Sequence, residues 1–186
     1  RDGYLWLGTD IGLTRSDGVN FHHYTFAEAG GSFITNISPL ENSLLWCWSN
    51  GYIAPVCFDT STGKTVSITG IDGAYLQTLK DFAVIEGKMY ALHNSKLIHI
   101  PIEYSKTHIN LHIKEIELDC NIKRVFNNSS NLYLLTDESI IEYNPRNGKK
   151  TNIQILGKSD LAKVEKLKFF GDNIILSDRK RIHVII

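Results

Sequence analysis

The run "LWLGTDIGLTRSDGVNFHHY", residues 5–24, is where the fold can be read. Leu5-Trp6-Leu7 meets Gly8-Thr9-Asp10, a second short run follows Gly12, and Asp17-Gly18 turns the chain toward Phe21 and Tyr24. Short β-prone runs punctuated by Gly, Asp and Thr read as strands joined by tight hairpins. A phosphate loop does not fit: Gly8 to Gly12 matches neither G-x-x-x-x-G-K-[ST] nor G-x-G-x-x-G, and no helix follows to hold an anion at its N-terminus.

The unit returns four more times in weaker form. After Leu5 to Asp10 come Leu45-Trp46-Cys47-Trp48-Ser49-Asn50, Met89-Tyr90-Ala91-Leu92-His93-Asn94, Leu132-Tyr133-Leu134-Leu135-Thr136-Asp137 and Asn173-Ile174-Ile175-Leu176-Ser177-Asp178. The second positions, Trp6, Trp46, Tyr90, Tyr133 and Ile174, are spaced by 40, 44, 43 and 41 residues. A period of about 42 is that of the four-stranded blade of a β-propeller. Position six is Asp10, Asn50, Asn94, Asp137 and Asp178, each expected to be a structural turn residue. Asp and Asn accept a backbone N–H two residues on and tolerate the left-handed conformation that a tight hairpin needs.

Third strands are expected at Leu13–Arg15, Tyr52–Phe58, Leu97–Ile102, Ile140–Tyr143 and Ile182–Ile186. Asp17-Gly18, Ser61-Thr62-Gly63 and Arg146-Asn147-Gly148 then close hairpins to outer strands. Innermost strands are expected at Phe33–Ser38, Leu79–Ile85, Ile122–Phe126 and Val164–Phe170, the last over a weak helical alternative at Ala162–Lys168. The fold class is therefore all-β, a β-propeller fragment of about four and a half four-stranded blades. Its blades fall approximately at 1–26 (partial), 27–70, 71–118, 119–156 and 157–186 (partial). A ring cut mid-blade leaves unpaired edges, so the expectation is one part of a larger propeller.

Charge narrows the function. Lys+Arg and Asp+Glu number 20 each, which excludes the basic footprint of a dedicated nucleic-acid binder. Residues 1–93 carry 5 basic against 9 acidic side chains and residues 94–186 carry 15 against 11, so the two halves differ in charge. Lys149-Lys150 and Arg179-Lys180-Arg181 are its densest basic spots, and a solvated turn is the ordinary role of such runs. Cys47, Cys57 and Cys120 are odd in number with no C-x-x-C, which argues against a disulfide scaffold and a zinc site. There is no 18-residue apolar stretch and no signal-peptide pattern at residue 1, and Arg1-Asp2-Gly3 leads directly into a strand, so the natural N-terminus is expected to lie elsewhere.

Metal and acid–base chemistry find little support. His22 and His23 are neighbours on a strand and point to opposite faces. His108 and His112 would suit a helix, but "THINLHIKEI" alternates like a strand. A glycosidase needs two carboxylates facing one bond, and Asp10, Asp137 and Asp178 are equally explained as turn residues, since Asn fills that place in the other two copies. No catalytic residue, metal or cofactor is assigned. Ligand recognition fits better, on the turns between second and third strands, which gather where the blade connections lie. These turns hold Asn50, Gly51, Tyr52, His93, Asn94, Ser95, Lys96, Glu138, Arg179 and Lys180. The candidate ligand-binding residues are Trp48, Asn50, Tyr52, Tyr75, His93, Asn94 and Arg179, aromatics to stack on sugar C–H faces and polar groups to bond hydroxyls. Packing between blades is the competing role for Trp48. Connectors 27–32 and 70–75 are expected as loops on the same face.

With the repeat in place, residues 3–24 resemble a two-component regulator propeller repeat. Gly3, Leu5, Trp6, Gly8, Thr9, Asp10, Gly12, Leu13, Asp17, Gly18, Phe21 and Tyr24 carry the resemblance. The later units depart from it: Trp48, Leu92, Leu135 and Leu176 stand where the first has Gly8, and the Gly12-Leu13 pair does not recur. The resemblance implies a non-catalytic, periplasmic sensor region of a hybrid two-component receptor of the kind found in gut Bacteroidetes, recognising a glycan-derived oligosaccharide. It also implies a histidine kinase and a membrane segment elsewhere in a longer chain. A homodimer is the expected partner arrangement, and a propeller-type carbohydrate-active enzyme and a protein-binding scaffold are the alternatives.

Overall fold

The computed structural model describes residues 3–26, 33–49, 53–105, 107–153, 161–170, 173–177 and 182–185. Asn50, Tyr52, Asp178 and Arg179, expected at the ligand face, and the loop 27–32 lie outside the described residues. Among the described residues the chain is all-β apart from one short helix and one 3-10 turn, and the strands form five small sheets. It divides into two compact units, residues 1–80 with 87–89 and 99–114, and residues 81–86 with 90–98 and 115–186.

The first unit begins with the antiparallel sheet β1 (Leu5–Thr9), β2 (Gly12–Ser16), β3 (Phe21–Tyr24). Its second sheet carries β4 (Asn36–Pro39), β5 (Leu44–Ser49), β6 (Ile53–Asp59) and β7 (Lys64–Thr69). A helix, α1 (Gly73–Thr78), follows, with Asp72 as N-cap accepting from Ala74 N at 3.4 Å. The expectation of a loop at 70–75 is corrected there: a side-chain cap and the burial of Leu76 offset the weak intrinsic helix tendency of so short a segment.

The third sheet has the order β13-β10-β9-β8, from β8 (Lys80–Ile85), β9 (Lys88–His93), β10 (Lys96–Ile100) and β13 (Lys114–Ile116). Between β10 and β13 the chain leaves it to make the hairpin β11 (Ile102–Tyr104), β12 (His108–Leu111). In that hairpin β12 pairs in parallel with β7, so the second sheet has six strands, in the order β11-β12-β7-β6-β5-β4. Residues 102–111, expected within the blade at 71–118, thus belong to the sheet of the preceding one. Alternation of Ile109 and Leu111 (buried) with less buried His108 and Asn110 marks the strand but not its partner.

The remaining sheets are β14 (Arg124–Asn127), β15 (Leu132–Leu135), β16 (Ile140–Tyr143), β17 (Lys150–Ile153), and β18 (Lys166–Phe170), β19 (Asn173–Ser177), β20 (Ile182–Ile185). Each is an antiparallel meander in which consecutive strands pair, the pattern of a propeller blade.

Three inner strands start two or three residues later than expected, at Asn36, Arg124 and Lys166. The residues before them are fixed plugs. Ile34, Ile122 and Val164 are 2%, 0% and 4% exposed. Ile34 N donates to Thr9 O at 2.9 Å, and Ile122 N to Ser95 O at 2.9 Å, so each plug ties a blade to the turn of the one before. Two glycines of the opening stretch follow from this packing. A Cβ on Gly8 would stand 2.6 Å from Ile34 O, and one on Gly12, whose φ is +129°, would stand 2.2 Å from Tyr24 O.

Each unit has its own apolar core. In the first, Leu13, Phe26, Ile34, Cys47, Val56 and Phe58 pack with Trp6 and Tyr24, and the Tyr24 and Phe58 rings meet edge-on at 4.8 Å. In the second, one cluster runs from Ala83 and Tyr90 to Ile122, Leu134 and Tyr143, and another from Tyr133 and Leu135 to Val164 and Leu176. Cys47 and Cys57 are fully buried free thiols, and burial pushes both up to about 12. They fill space as small apolar groups.

Candidate functional site

The turn face is best built in the second unit, from the innermost strand outward. Arg124 opens β14 and pairs in register with Leu135, the last residue of β15. That puts its side chain at the same end of the sheet as the turn Thr136 to Ser139. Lys123 N donates to Leu135 O at 2.7 Å, and Ile122 N reaches Ser95 in the turn after β9. One end of this unit therefore gathers Asn94-Ser95, Ile122 to Arg124, and Thr136 to Ser139.

Turn chemistry follows sequence in a different way from the one expected. Asn94 and Ser95 have φ of 48° and 64°, the paired left-handed conformations of a two-residue type I′ hairpin, so Asn94 serves the backbone role foreseen for it. In the first and fourth hairpins the side-chain acceptor is the residue before the expected one. Thr9 Oγ1 accepts from Ile11 N at 3.3 Å and donates to Gly12 O at 3.0 Å. Thr136 Oγ1 accepts from Glu138 N at 3.3 Å and Ser139 N at 3.0 Å, and donates to Ser139 O at 3.0 Å. This corrects the Asx-turn assignment of Asp10 and Asp137: the hydroxyl sits two residues before the amide it serves, where a threonine can reach it. Asp137 instead faces Lys123, with Oδ2 3.2 Å from Nζ. Asx turns do occur, but in the outer hairpins, where Asp17 accepts from Val19 N and Asn20 N at 2.9 and 2.7 Å, and Asn144 from Arg146 N at 2.9 Å.

A buried carboxylate is the feature of this face that the sequence reading did not single out. Asp81, 7% exposed and with φ of 50°, accepts from Arg124 Nε at 2.8 Å and from Val125 N at 3.2 Å. The guanidinium also lies over the Phe126 ring, its carbon 5.2 Å from the centroid. An unpaired buried charge is strongly disfavoured, so Asp81 requires Arg124, and Arg124 is held in one orientation. The signal available in sequence was the charged pair Lys123-Arg124 at the head of an expected inner strand. His93 and Asn94 are adjacent, Asn94 Nδ2 lying 3.2 Å from His93 Nε2. Lys96 beside them is bound to Glu115, and that hydrogen bond holds the ammonium above its ordinary range.

The aromatic candidates lie elsewhere. Trp48 is 6% exposed within β5 and pairs in register with Asn36, so little of its ring is open to a ligand in this structure. Tyr75 is half-buried on α1. Near that helix, Tyr24, Phe26, Pro55, Phe58, Ile68 and Leu76 line an open cavity of about 800 Å³. Among the described residues no group of His, Cys, Asp and Glu side chains is placed to hold a metal ion, and no helix is long and apolar enough to cross a membrane.

No family model matches the chain, and no curated protein matches it by sequence. Solved structures do. The extracellular domain of a protein described as the one component system BT4673 from B. thetaiotaomicron superposes with a TM-score of 0.68 at 16% identity, over 97% of this chain and 24% of that one. The extracellular domain described as that of the hybrid two component system BT3049, from the same organism, gives 0.66 at 14% identity, over 98% and 26%. Virginiamycin B lyase from Staphylococcus aureus gives 0.61 at 13% identity, over 99% and 66%. The likeness is one of fold. The chain spans about a quarter of the length of the two extracellular domains.

Proposed function

We propose that this chain is part of the extracytoplasmic, non-catalytic sensor region of a hybrid two-component receptor, and that its turn face recognises a glycan-derived oligosaccharide in the periplasm. The observation that carries the reading is the fit of nearly the whole chain to extracellular domains described as belonging to one- and two-component systems, alongside the propeller repeat of residues 3–24. The turn face supplies what sugar hydroxyls need: His93, Asn94, Lys123 and Asp137 at one end of the second unit, with Arg124 beside them. In the longer chain the signal would pass to a kinase, and a dimer of the receptor is the natural way to couple two membrane segments.

The fold likeness to a lyase favours a second reading, a propeller enzyme acting on a carbohydrate. Against it, Asp81 is engaged by Arg124 and Asp137 by Lys123, and no two carboxylates of the turn face are seen to converge on one open space among the described residues. Titration calorimetry of the complete ectodomain with neutral and acidic oligosaccharides, with chromatography of each mixture afterwards, separates the readings. Saturable binding with intact sugar is expected. Shortened sugar would replace the sensor with an enzyme, and silence across the panel would leave a protein-binding scaffold. A monomeric mass for the liganded ectodomain would remove the dimer.

A further inference from the structure

We infer that Arg124 is an anion-recognition residue, offering the two terminal nitrogens of its guanidinium to a carboxylate or sulfate on a small ligand. Three features of its surroundings carry this. Asp81, almost wholly buried, takes Nε at 2.8 Å and is itself secured by Val125 N, so one edge of the guanidinium is committed to the protein. The Phe126 ring lies against its face. The terminal nitrogens make no hydrogen bond to any described residue, and the side chain is 35% exposed.

An arginine that serves only to neutralise a buried aspartate would be expected to turn its paired nitrogens to the two carboxylate oxygens, the strongest geometry available to it. Here the contact runs through Nε, and the terminal nitrogens of the fork belong to a side chain that is 35% exposed at the head of an innermost strand. An oxyanion meeting that fork gains two parallel charge-assisted hydrogen bonds without reordering the side chain, because Asp81 and Phe126 already hold it. Of the charged groups at this end, Lys123 is paired with Asp137 at 3.2 Å, while the exposed Glu138 in the same turn is a carboxylate that the incoming anion must avoid. Where the ligand is the oligosaccharide proposed above, this inference rests on that reading and specifies an acidic sugar. As a statement about Arg124 and oxyanions it stands without it.

Arginine side-chain NMR on the complete ectodomain tests it, with glucuronate, glucose 6-sulfate and glucose as probes at matched ionic strength. The Arg124 Nε–H signal, assigned by its loss in Arg124→Lys, is expected to be present without ligand because Asp81 shields it. It should shift saturably with an acidic sugar and stay unmoved by glucose. Response to glucuronate alone, or to glucose 6-sulfate alone, identifies a carboxylate or a sulfate site. Arg124→Lys, which keeps the charge but loses the fork, should weaken binding roughly tenfold or more. Asp81→Asn should weaken it less while broadening the Arg124 signal, the mark of a positioning residue. No shift at Arg124 with either acid, or an equal shift with glucose, would overturn the assignment. The two proposals fail separately. Neutral oligosaccharides that bind while Arg124 stays silent keep the sensor and remove the anion site, and an acid response with no oligosaccharide binding does the reverse.

Discussion

The first and fourth hairpins close their blades in the same way and fill the space behind them in opposite ways. In both, a threonine hydroxyl holds the turn, Thr9 in one and Thr136 in the other. Behind the first, Gly8 lets the backbone of Ile34 come so close that a methyl group would collide with it. In the corresponding place of the fourth stands Leu135, completely buried, in one cluster with Leu161 and Val164. One junction is made by backbone approach and the other by side-chain volume. A glycine that characterises one repeat is therefore missing from another without loss of the blade, because the plug residue is free to stand nearer or farther.

This contrast predicts opposite responses to size. Leu135→Ala opens a cavity that its neighbours only partly fill, and is expected to cost about 2–5 kcal/mol, read from thermal or urea unfolding. A loss below about 1 kcal/mol would mean that the fourth junction does not depend on side-chain volume. Gly12→Ala combines a collision with Tyr24 O and a positive φ, for a loss on the order of 3 kcal/mol. Gly8→Ala, with the collision alone, should cost about 1–3 kcal/mol, and removing the Cγ2 methyl of the plug with Ile34→Ala should not rescue it, since the nearest atom is the carbonyl oxygen. Full rescue would transfer the argument from backbone to side chain. The shared feature should respond alike in both places: Thr9→Val and Thr136→Val each remove a hydroxyl bonded across the turn, with losses of about 0.5–1.5 kcal/mol.

The smallest effect lies in the outer turn of the same first blade. Amide bonds from Asn20 and Val19 hold the Asp17 carboxyl at about 2, below its ordinary 3.8. A depressed carboxylate contributes stability above its unfolded value and loses it as pH falls through the folded one, so the turn should hold at pH 5 and loosen between about pH 4 and 2. The amide signals of Val19 and Asn20 report this directly, and Asp17→Asn should abolish their pH dependence. Loosening that begins near pH 5 would contradict the hydrogen bonding described.

Sequence and structure agree most closely where a short local pattern determines the outcome. The blade period was legible because the central strands are β-prone runs that recur at a fixed spacing, two of them, Leu44 to Ser49 and Leu132 to Leu135, buried along their whole length. The left-handed turn at Asn94 was legible because only a few residue types tolerate it. What escaped depends on residues far apart in the chain. The parallel pairing of β12 with β7 joins His108–Leu111 to a strand some 40 residues earlier, and alternation gives no hint of which edge receives it. Asp81 and Arg124 are 43 residues apart, and neither belongs to the repeating motif. Trp48 could be read as a stacking platform because its residue type suits either role, and only its 6% exposure decides.

The hairpin β11–β12 also bears on how the chain acquires this structure. The second sheet gains its last two strands only from residues that follow β10, and β13 joins the third sheet only after that detour. Two sheets are thus interlocked in time: neither can be finished before the other is well under way. Closing so long a loop costs chain entropy before the parallel ladder returns any of it. Docking of this hairpin is accordingly expected among the late events of refolding, with the protection of Ile109 and Leu111 amides against exchange lagging behind that of β5 and β6.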